Sequence, residues 1–212
     1  MSDTASGSLL HDLTSEAGDG RRARRDRNRD AVVDALLELY HEGRLDPSSD
    51  EIATRAGLSP RSLFRYFDDI DDLCQSAIAR QQDRVRPLVE MTVRATASTT
   101  DRVQALVEQR VALFDAIGAA GQVARLRAPF QPLVAAELTA GRAFLRSQIK
   151  RLLRPELSSM ASQRATATLA AIDVLCSFES YQLLRADQSL SRSRTVTALV
   201  DTLTALLTQD HP

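Results

Sequence analysis

Residues 48–67 read SSDEIATRAGLSPRSLFRYF, and the capping signals in this stretch decide how the rest of the chain is organised. Ser48 and Glu51 form a capping box. The hydroxyl takes a backbone N–H of the new helix while the carboxylate reaches back to the Ser48 N–H, so a helix starts near Ser49. Ile52, Ala53 and Ala56 place apolar groups on one face, and Gly57 supplies the left-handed conformation that closes a helix. Leu58 then serves as a buried plug, Ser59 as a second N-cap, and Pro60 as the first helical residue, where its missing N–H costs nothing. The spacing predicts a second helix from Pro60 to Phe67 with Leu63 and Phe67 on one face. Arg61, Ser62, Arg65 and Tyr66 occupy the others.

Two short helices joined by a turn containing Gly form a helix-turn-helix, whose second helix fits the major groove of DNA. The side chains suit that use. Arginine pairs bidentately with guanine, serine donates or accepts at base edges, and a tyrosine hydroxyl holds a phosphate.

On these residues the chain resembles the TetR family of bacterial transcription regulators. EIATRAGLSPRSLFRYF follows the family's order of Ile-Ala, a Gly turn, a Ser cap and an aromatic cluster ending in Phe. The match covers about residues 25 to 75. The resemblance implies DNA-binding positions at Ser48, Ser49, Pro60, Arg61, Ser62, Phe64, Arg65 and Tyr66. Of these, Arg61, Ser62 and Arg65 face bases, and Ser48, Phe64 and Tyr66 approach phosphates. Two residues depart from the pattern. Phe64 replaces the usual Tyr, and Ile70 stands where a phosphate-binding Lys is common, within the acidic run Asp68, Asp69, Asp71 and Asp72.

The chain has 212 residues and is 43% hydrophobic but only 4% aromatic, with no Trp. That is ample for a core, and the abundance of Ala, Leu and Arg with no strictly alternating run predicts an all-α fold. Net charge is −1, so DNA binding rests on where charge lies and not on its sum. Lys150 is the only lysine, and that arginine bias is equally a property of genome composition. Cys74 and Cys176 are isolated thiols read as buried core, and His11, His41 and His211 are scattered, so no metal site, cofactor or catalytic residue is expected. The absence of a signal peptide and of a long apolar run predicts a cytoplasmic protein with no membrane partner.

Residues 1–20 read as a disordered acidic tail. Residues 21–75 read as a helix-turn-helix DNA-binding domain. It opens on a basic arm, Arg21, Arg22, Arg24, Arg25, Arg27 and Arg29, which either lies on phosphates or is simply solvated. A first helix from Asp26 to His41 carries Val33, Leu36, Leu37 and Tyr40 toward a three-helix core. Its stripe of Asp26, Asp30, Asp34, Glu38 and Glu42 faces water, and Gly43 ends it. A fourth helix runs from Ile70 to Arg86, where Pro87 breaks or kinks it. By the resemblance this helix acts as a lever.

Residues 76–212 read as a helical effector-binding and dimerisation domain. Helices are expected from Ser98 to Gly118, briefly between Gly121 and Pro129, and at Pro132–Leu153, Ser159–Arg185 and Ser191–Gln209. Val107, Val111, Phe114, Leu126, Phe130 and Phe144 either line a pocket for a hydrophobic small molecule or fill a solid core. Leu175, Phe178, Val196, Leu199, Leu203 and Leu206 either form a homodimer interface or pack within the chain. The leading function is a ligand-responsive regulator, a repressor by the resemblance, acting as a homodimer on a pseudo-palindromic double-stranded DNA operator. The alternative is a constitutive dimeric DNA-binding protein with no effector. An enzyme is not expected, because no nucleophile and base, paired carboxylates or phosphate-cradling loop is present. Asp173 and Glu179 lie six residues apart, on different faces of their helix.

Overall fold

The computed structural model describes residues 6–91 and 97–208, and all regular structure among them is helical. The chain divides into two compact units, Met1–Arg80 and Gln81–Pro212.

In the first unit α1 spans Ser6–His41, α2 Ser49–Arg55 and α3 Pro60–Leu63, and α4 (Ile70–Val89) contributes its residues up to Arg80. α1 begins earlier than the pattern of Val33, Leu36, Leu37 and Tyr40 indicated. It runs through the arginine run, which composition had set apart as an arm ahead of the helix. Nothing in residues 6–41 stops a helix outright: the first proline of the chain is Pro47, and Gly18 and Gly20 only weaken it. Residues 1–5 of the expected tail lie outside the described residues.

Both glycine stops are helix terminations of the Schellman kind. Gly43 (φ 84°) donates to the Tyr40 carbonyl at 3.0 Å while Arg44 donates to Leu39 at 2.9 Å. Gly57 (φ 68°) donates to Thr54 at 3.1 Å while Leu58 donates to Ala53 at 2.9 Å. Leu58 is half-buried, a partial plug. Val32, Val33, Leu36, Leu37, Tyr40, Ile52, Ala53, Leu63, Phe67, Leu73 and Ala77 are buried.

The acidic stripe of α1 does more than meet water. Arg55 of α2 pairs with both Glu42 oxygens at 2.8 Å, and Arg80 of α4 with both Asp34 oxygens at 3.0 and 2.8 Å and with Asp30. Planar guanidinium groups match carboxylates two bonds at a time, so the stripe clips α2 and α4 to α1.

The second unit holds the end of α4 and then α5 (Thr99–Arg127), α6 (Pro132–Leu152), α7 (Arg154–Ser158), α8 (Ser162–Leu175), α9 (Phe178–Gln182), a π turn (Leu183–Asp187) and α10 (Arg192–Thr208). Residue Gln209 of the expected last helix lies outside the described residues. Ser98 and Asp101 form a second capping box, which opens α5 at the expected place. Gly118 (φ 48°, ψ −134°) kinks α5 where the sequence placed its end. The helix resumes to Arg127. Gly121 just beyond the kink admits the Phe178 ring so closely that a Cβ would stand 2.9 Å from it.

Two expected boundaries moved. Pro87 does not end α4, which continues to Val89. The proline sits in the last turn, where it forfeits one backbone bond. The carbonyls beyond it are taken by side chains, Leu88 by Gln109 Nε2 at 2.7 Å and Val89 by Gln148 Nε2 at 2.8 Å. The helix expected over Ser159–Arg185 is instead broken after Leu175, because the Ser177 hydroxyl accepts from Ser180 N at 3.1 Å and caps a new helix.

The core of this unit divides both expected groups of the body between buried and exposed positions. Val107, Val111 and Phe114 are buried together, with Phe114 edge-on to Phe178 (centroids 5.6 Å apart) and tilted against Tyr181. Leu126, Phe130 and Phe144 are exposed, Phe130 by 84%, so the six residues do not surround one pocket. Phe178, Leu199 and Leu203 lie in the same core, and Leu203 has no exposed surface. They cannot be a surface for a second chain. Leu175, Val196 and Leu206 are partly buried against that core. A broad apolar stripe has no marker in sequence for its outer edge, and here the chain's own α5 takes its centre.

Cys74 and Cys176 are both buried and free, and burial pushes the Cys176 thiol up to about 12. Glu179 accepts from Arg125 at 2.8 Å and from Arg142 at 2.5 Å. Burial alone would raise its pKa, but these bonds outweigh it and hold the carboxyl at about 2. Because the folded value is depressed, this contribution is present above the ordinary carboxylate range and fades as pH falls toward about 2.

Candidate nucleic-acid interface

The capping box that opens α2 is complete. Ser48 Oγ accepts from Glu51 N at 3.3 Å and donates to Glu51 Oε2 at 2.9 Å, and Ser48 N donates to the same oxygen at 2.8 Å. This commits the Ser48 hydroxyl, which the resemblance had placed near phosphate, to holding the helix. Ser49 is half-buried beside it.

α3 is shorter than expected. Its α-helical part ends at Leu63, and i to i−3 bonds carry the chain on, from Arg65 N to Ser62 at 3.1 Å and from Tyr66 N to Leu63 at 2.9 Å. Leu63 and Phe67 are both buried, while Pro60, Arg61, Phe64 and Arg65 are exposed. Phe64 is 64% exposed. Ser62 is half-buried and its hydroxyl lies 2.8 Å from that of Ser59.

A residue that the sequence reading assigned to the arm fixes this segment. The Arg29 guanidinium donates to the Tyr66 carbonyl at 2.5 Å, to Asp72 at 2.5 Å and to Ser76 Oγ at 2.9 Å, and it stands 4.4 Å from the Phe67 ring centroid. The residue before it, Asn28, donates from Nδ2 to the Tyr66 hydroxyl at 2.7 Å. Asn28 carried no signal in the sequence, since only the fold brings it 38 positions along to Tyr66. Within the acidic run, Asp69 caps the start of α4 by accepting from Asp72 N at 2.8 Å, and Asp72 is paired with Arg29. Two of the four acids of that run are thus held within the fold. The Ile70 side chain lies outside the described residues.

Removing Arg29 would leave an open carbonyl and a half-buried carboxylate. Arg29→Ala is expected to lower the opening free energy of the first unit by about 2 kcal/mol, read as faster amide exchange at Ile52, Ala53 and Leu63. Unchanged protection would mean that apolar packing alone holds the segment. The Arg29 hydrogen bond holds Asp72 below the usual carboxylate range, so this support is present at neutral pH and lost as pH falls below that range.

The arginines of the first unit therefore sort into two groups. Arg29, Arg44, Arg55 and Arg80 are in ion pairs. Arg61 and Arg65 are exposed and have no partner among the described residues, and Arg22, Arg24, Arg25 and Arg27 are exposed along α1. A guanidinium free of carboxylates and held on a short fixed turn is available to base edges or phosphates. Among the described residues no His, Cys, Asp and Glu group is arranged to hold a metal, and no helix is long and apolar enough to cross a membrane.

The fold and this surface define a class, a helix-turn-helix unit joined through α4 to an all-helical second unit. Its fold is that of solved TetR-family transcriptional regulators. A putative member from Rhodococcus sp. superposes with a TM-score of 0.65 at 18% identity, over 85% of this chain and 99% of that one. A member from Streptomyces coelicolor gives 0.65 at 21% identity, over 85% and 80%. Among curated proteins the chain is similar to the HTH-type transcriptional activator FasR of Mycolicibacterium smegmatis, 32% identical over 99 residues. That match spans 46% of this chain and 44% of the relative. No protein-family model matches the chain.

Proposed function

We propose that the chain is a TetR-type transcription regulator that binds a pseudo-palindromic operator as a homodimer and releases it in response to a small molecule. The observation that carries this reading is the pair Arg61 and Arg65, exposed and unpaired among the described residues, on a turn that Arg29 and the capping box hold in place. Arg22, Arg24, Arg25 and Arg27 add attraction for phosphates that is independent of sequence.

A single α3 covers one half-site, so specificity requires two, spaced about 34–36 Å apart or a multiple of it. The dimer surface in this reading is the outer side of α8 and α10. There Ala167, Val174, Ala198, Thr202 and Ala205 are exposed, small enough for close approach of helices, with the exposed Arg194 and Asp201 beside them on α10.

Selection from a random DNA pool with the full chain should enrich a two-fold pseudo-palindrome. Enrichment of a single unrepeated half-site, or of nothing, overturns the proposal. Ala198→Arg should convert the dimer to a monomer by light scattering at low micromolar concentration while leaving the helical signal unchanged. A variant that stays dimeric places the interface elsewhere. In this reading the chain is a repressor. A reporter carrying the selected operator gives the sign of regulation by its change on deletion of the regulator.

A further inference from the structure

Arg110 is the largest fully buried side chain among the described residues, 1% exposed, and it is a cation. Its Nη1 donates to Gln148 Oε1 at 3.0 Å and to Gln109 Oε1, and Nη2 donates to the Leu145 carbonyl at 2.9 Å. Its Nε has no partner among the described residues. Guanidinium carries five N–H donors and does not lose its charge in proteins. Here three bonds go to neutral acceptors, and no carboxylate among the described residues bonds it. Asp173 acts on it only at a distance and is itself bonded to Arg146 at 3.1 Å. The neighbouring Cys176 thiol stays neutral, its pKa pushed up to about 12.

A buried charge is costly unless a counter-charge faces it, and neutral acceptors supply hydrogen bonds without supplying that charge. The unsatisfied donors also have a pattern. Nε is free and Nη2 has one acceptor for two hydrogens, and a guanidinium edge of that kind takes a carboxylate. The surroundings are apolar. One turn before and after Arg110 on α5 stand Leu106, Val107, Leu113 and Phe114, all within 3% of full burial.

We propose that the second unit binds an amphipathic anion, an apolar tail ending in a carboxylate, with Arg110 as its head-group anchor. This rests on the effector reading above and gives that effector a chemical class. Gln148 and Gln109 hold the guanidinium in place before the ligand arrives. They are themselves fixed by the Val89 and Leu88 carbonyls at the end of α4.

The test uses the full chain and two matched series, n-alkanoates and n-alkanols of 8 to 16 carbons, with binding read by calorimetry and release of the selected operator read by fluorescence anisotropy. One or more alkanoates should bind at least about tenfold more tightly than the alkanol of equal length. Arg110→Met should abolish that preference, and Arg110→Lys should keep part of it. Circular dichroism and light scattering establish that each variant is folded. If Arg110→Met is not folded, the comparison of the two series in the unaltered protein and in Arg110→Lys decides the matter. The proposal is overturned if alkanoates and alkanols bind alike, if neither binds, or if a folded Arg110→Met keeps the preference. Anisotropy judges the parent reading separately. Selective alkanoate binding without operator release would keep the anion site and sink the effector role, and release by alkanols alone would do the reverse.

Discussion

Leu203→Asp should unfold the second unit and leave the first intact. Leu203 has no exposed surface and sits among Val103, Leu106, Val107 and Leu199 in the core that α5 and α10 share. The substitution removes the packing of a full leucine and puts an unpaired carboxylate in its place, a combination that costs more than about 4 kcal/mol. That is most of the stability of an ordinary domain, about 5–15 kcal/mol. Near-ultraviolet dichroism from the Phe114, Phe178 and Tyr181 cluster should be lost, while exchange protection at Ile52 and Leu63 persists. A Leu203→Asp chain that remains folded and turns monomeric would restore Leu203 to an intermolecular interface. Ala198 is five residues earlier on the exposed side of the same helix, so Ala198→Arg should cost under about 0.5 kcal/mol of folding stability.

The double substitution Arg61→Ala with Arg65→Ala should abolish recognition of the selected operator without weakening the fold. Each arginine lost from a bidentate base contact costs about 1–3 kcal/mol, and both together amount to roughly two to six. Because neither side chain has an intramolecular partner among the described residues, thermal stability should not change. Affinity for the operator should fall to that for random DNA of equal length. Equal losses on both DNAs would make the pair phosphate contacts, and no loss on either would remove α3 from the interface altogether. Arg29→Ala is the informative contrast, since it should weaken operator binding only as far as it loosens the segment around Tyr66.

The helix-turn-helix was legible in the sequence because its signals are local. Ser48 with Glu51, Gly57, Ser59 and Pro60 each act within one turn, and helices start and stop at them, although Ser59 makes no side-chain cap bond and α3 ends four residues early. The helix start at Ser98 was legible for the same reason, and Gly118, expected as an end, proved a kink after which the helix resumes. Where a stop depends on what lies across from it, the sequence reading failed. Pro87 looked like an end until Gln109 and Gln148 took the carbonyls beyond it, and Ser177 looked like helix interior until it capped α9.

Side-chain roles divide along the same line. That Arg61 and Arg65 are exposed follows from a helical repeat of apolar residues, which any chain segment displays by itself. That they are unpaired among the described residues, while Arg29, Arg55 and Arg80 are in ion pairs, depends on carboxylates 13 to 50 positions away, which only folding brings within hydrogen-bond reach. The sequence by itself determined the class of fold and the helix that faces outward, because capping and hydrophobic period are short-range properties of the chain. Tertiary structure alone decided that Leu203 and Phe178 are core, that Phe130 and Phe144 are surface, and that Arg110 is buried with no carboxylate bonded to it among the described residues. Burial and pairing are relations between distant residues, and no local pattern carries them.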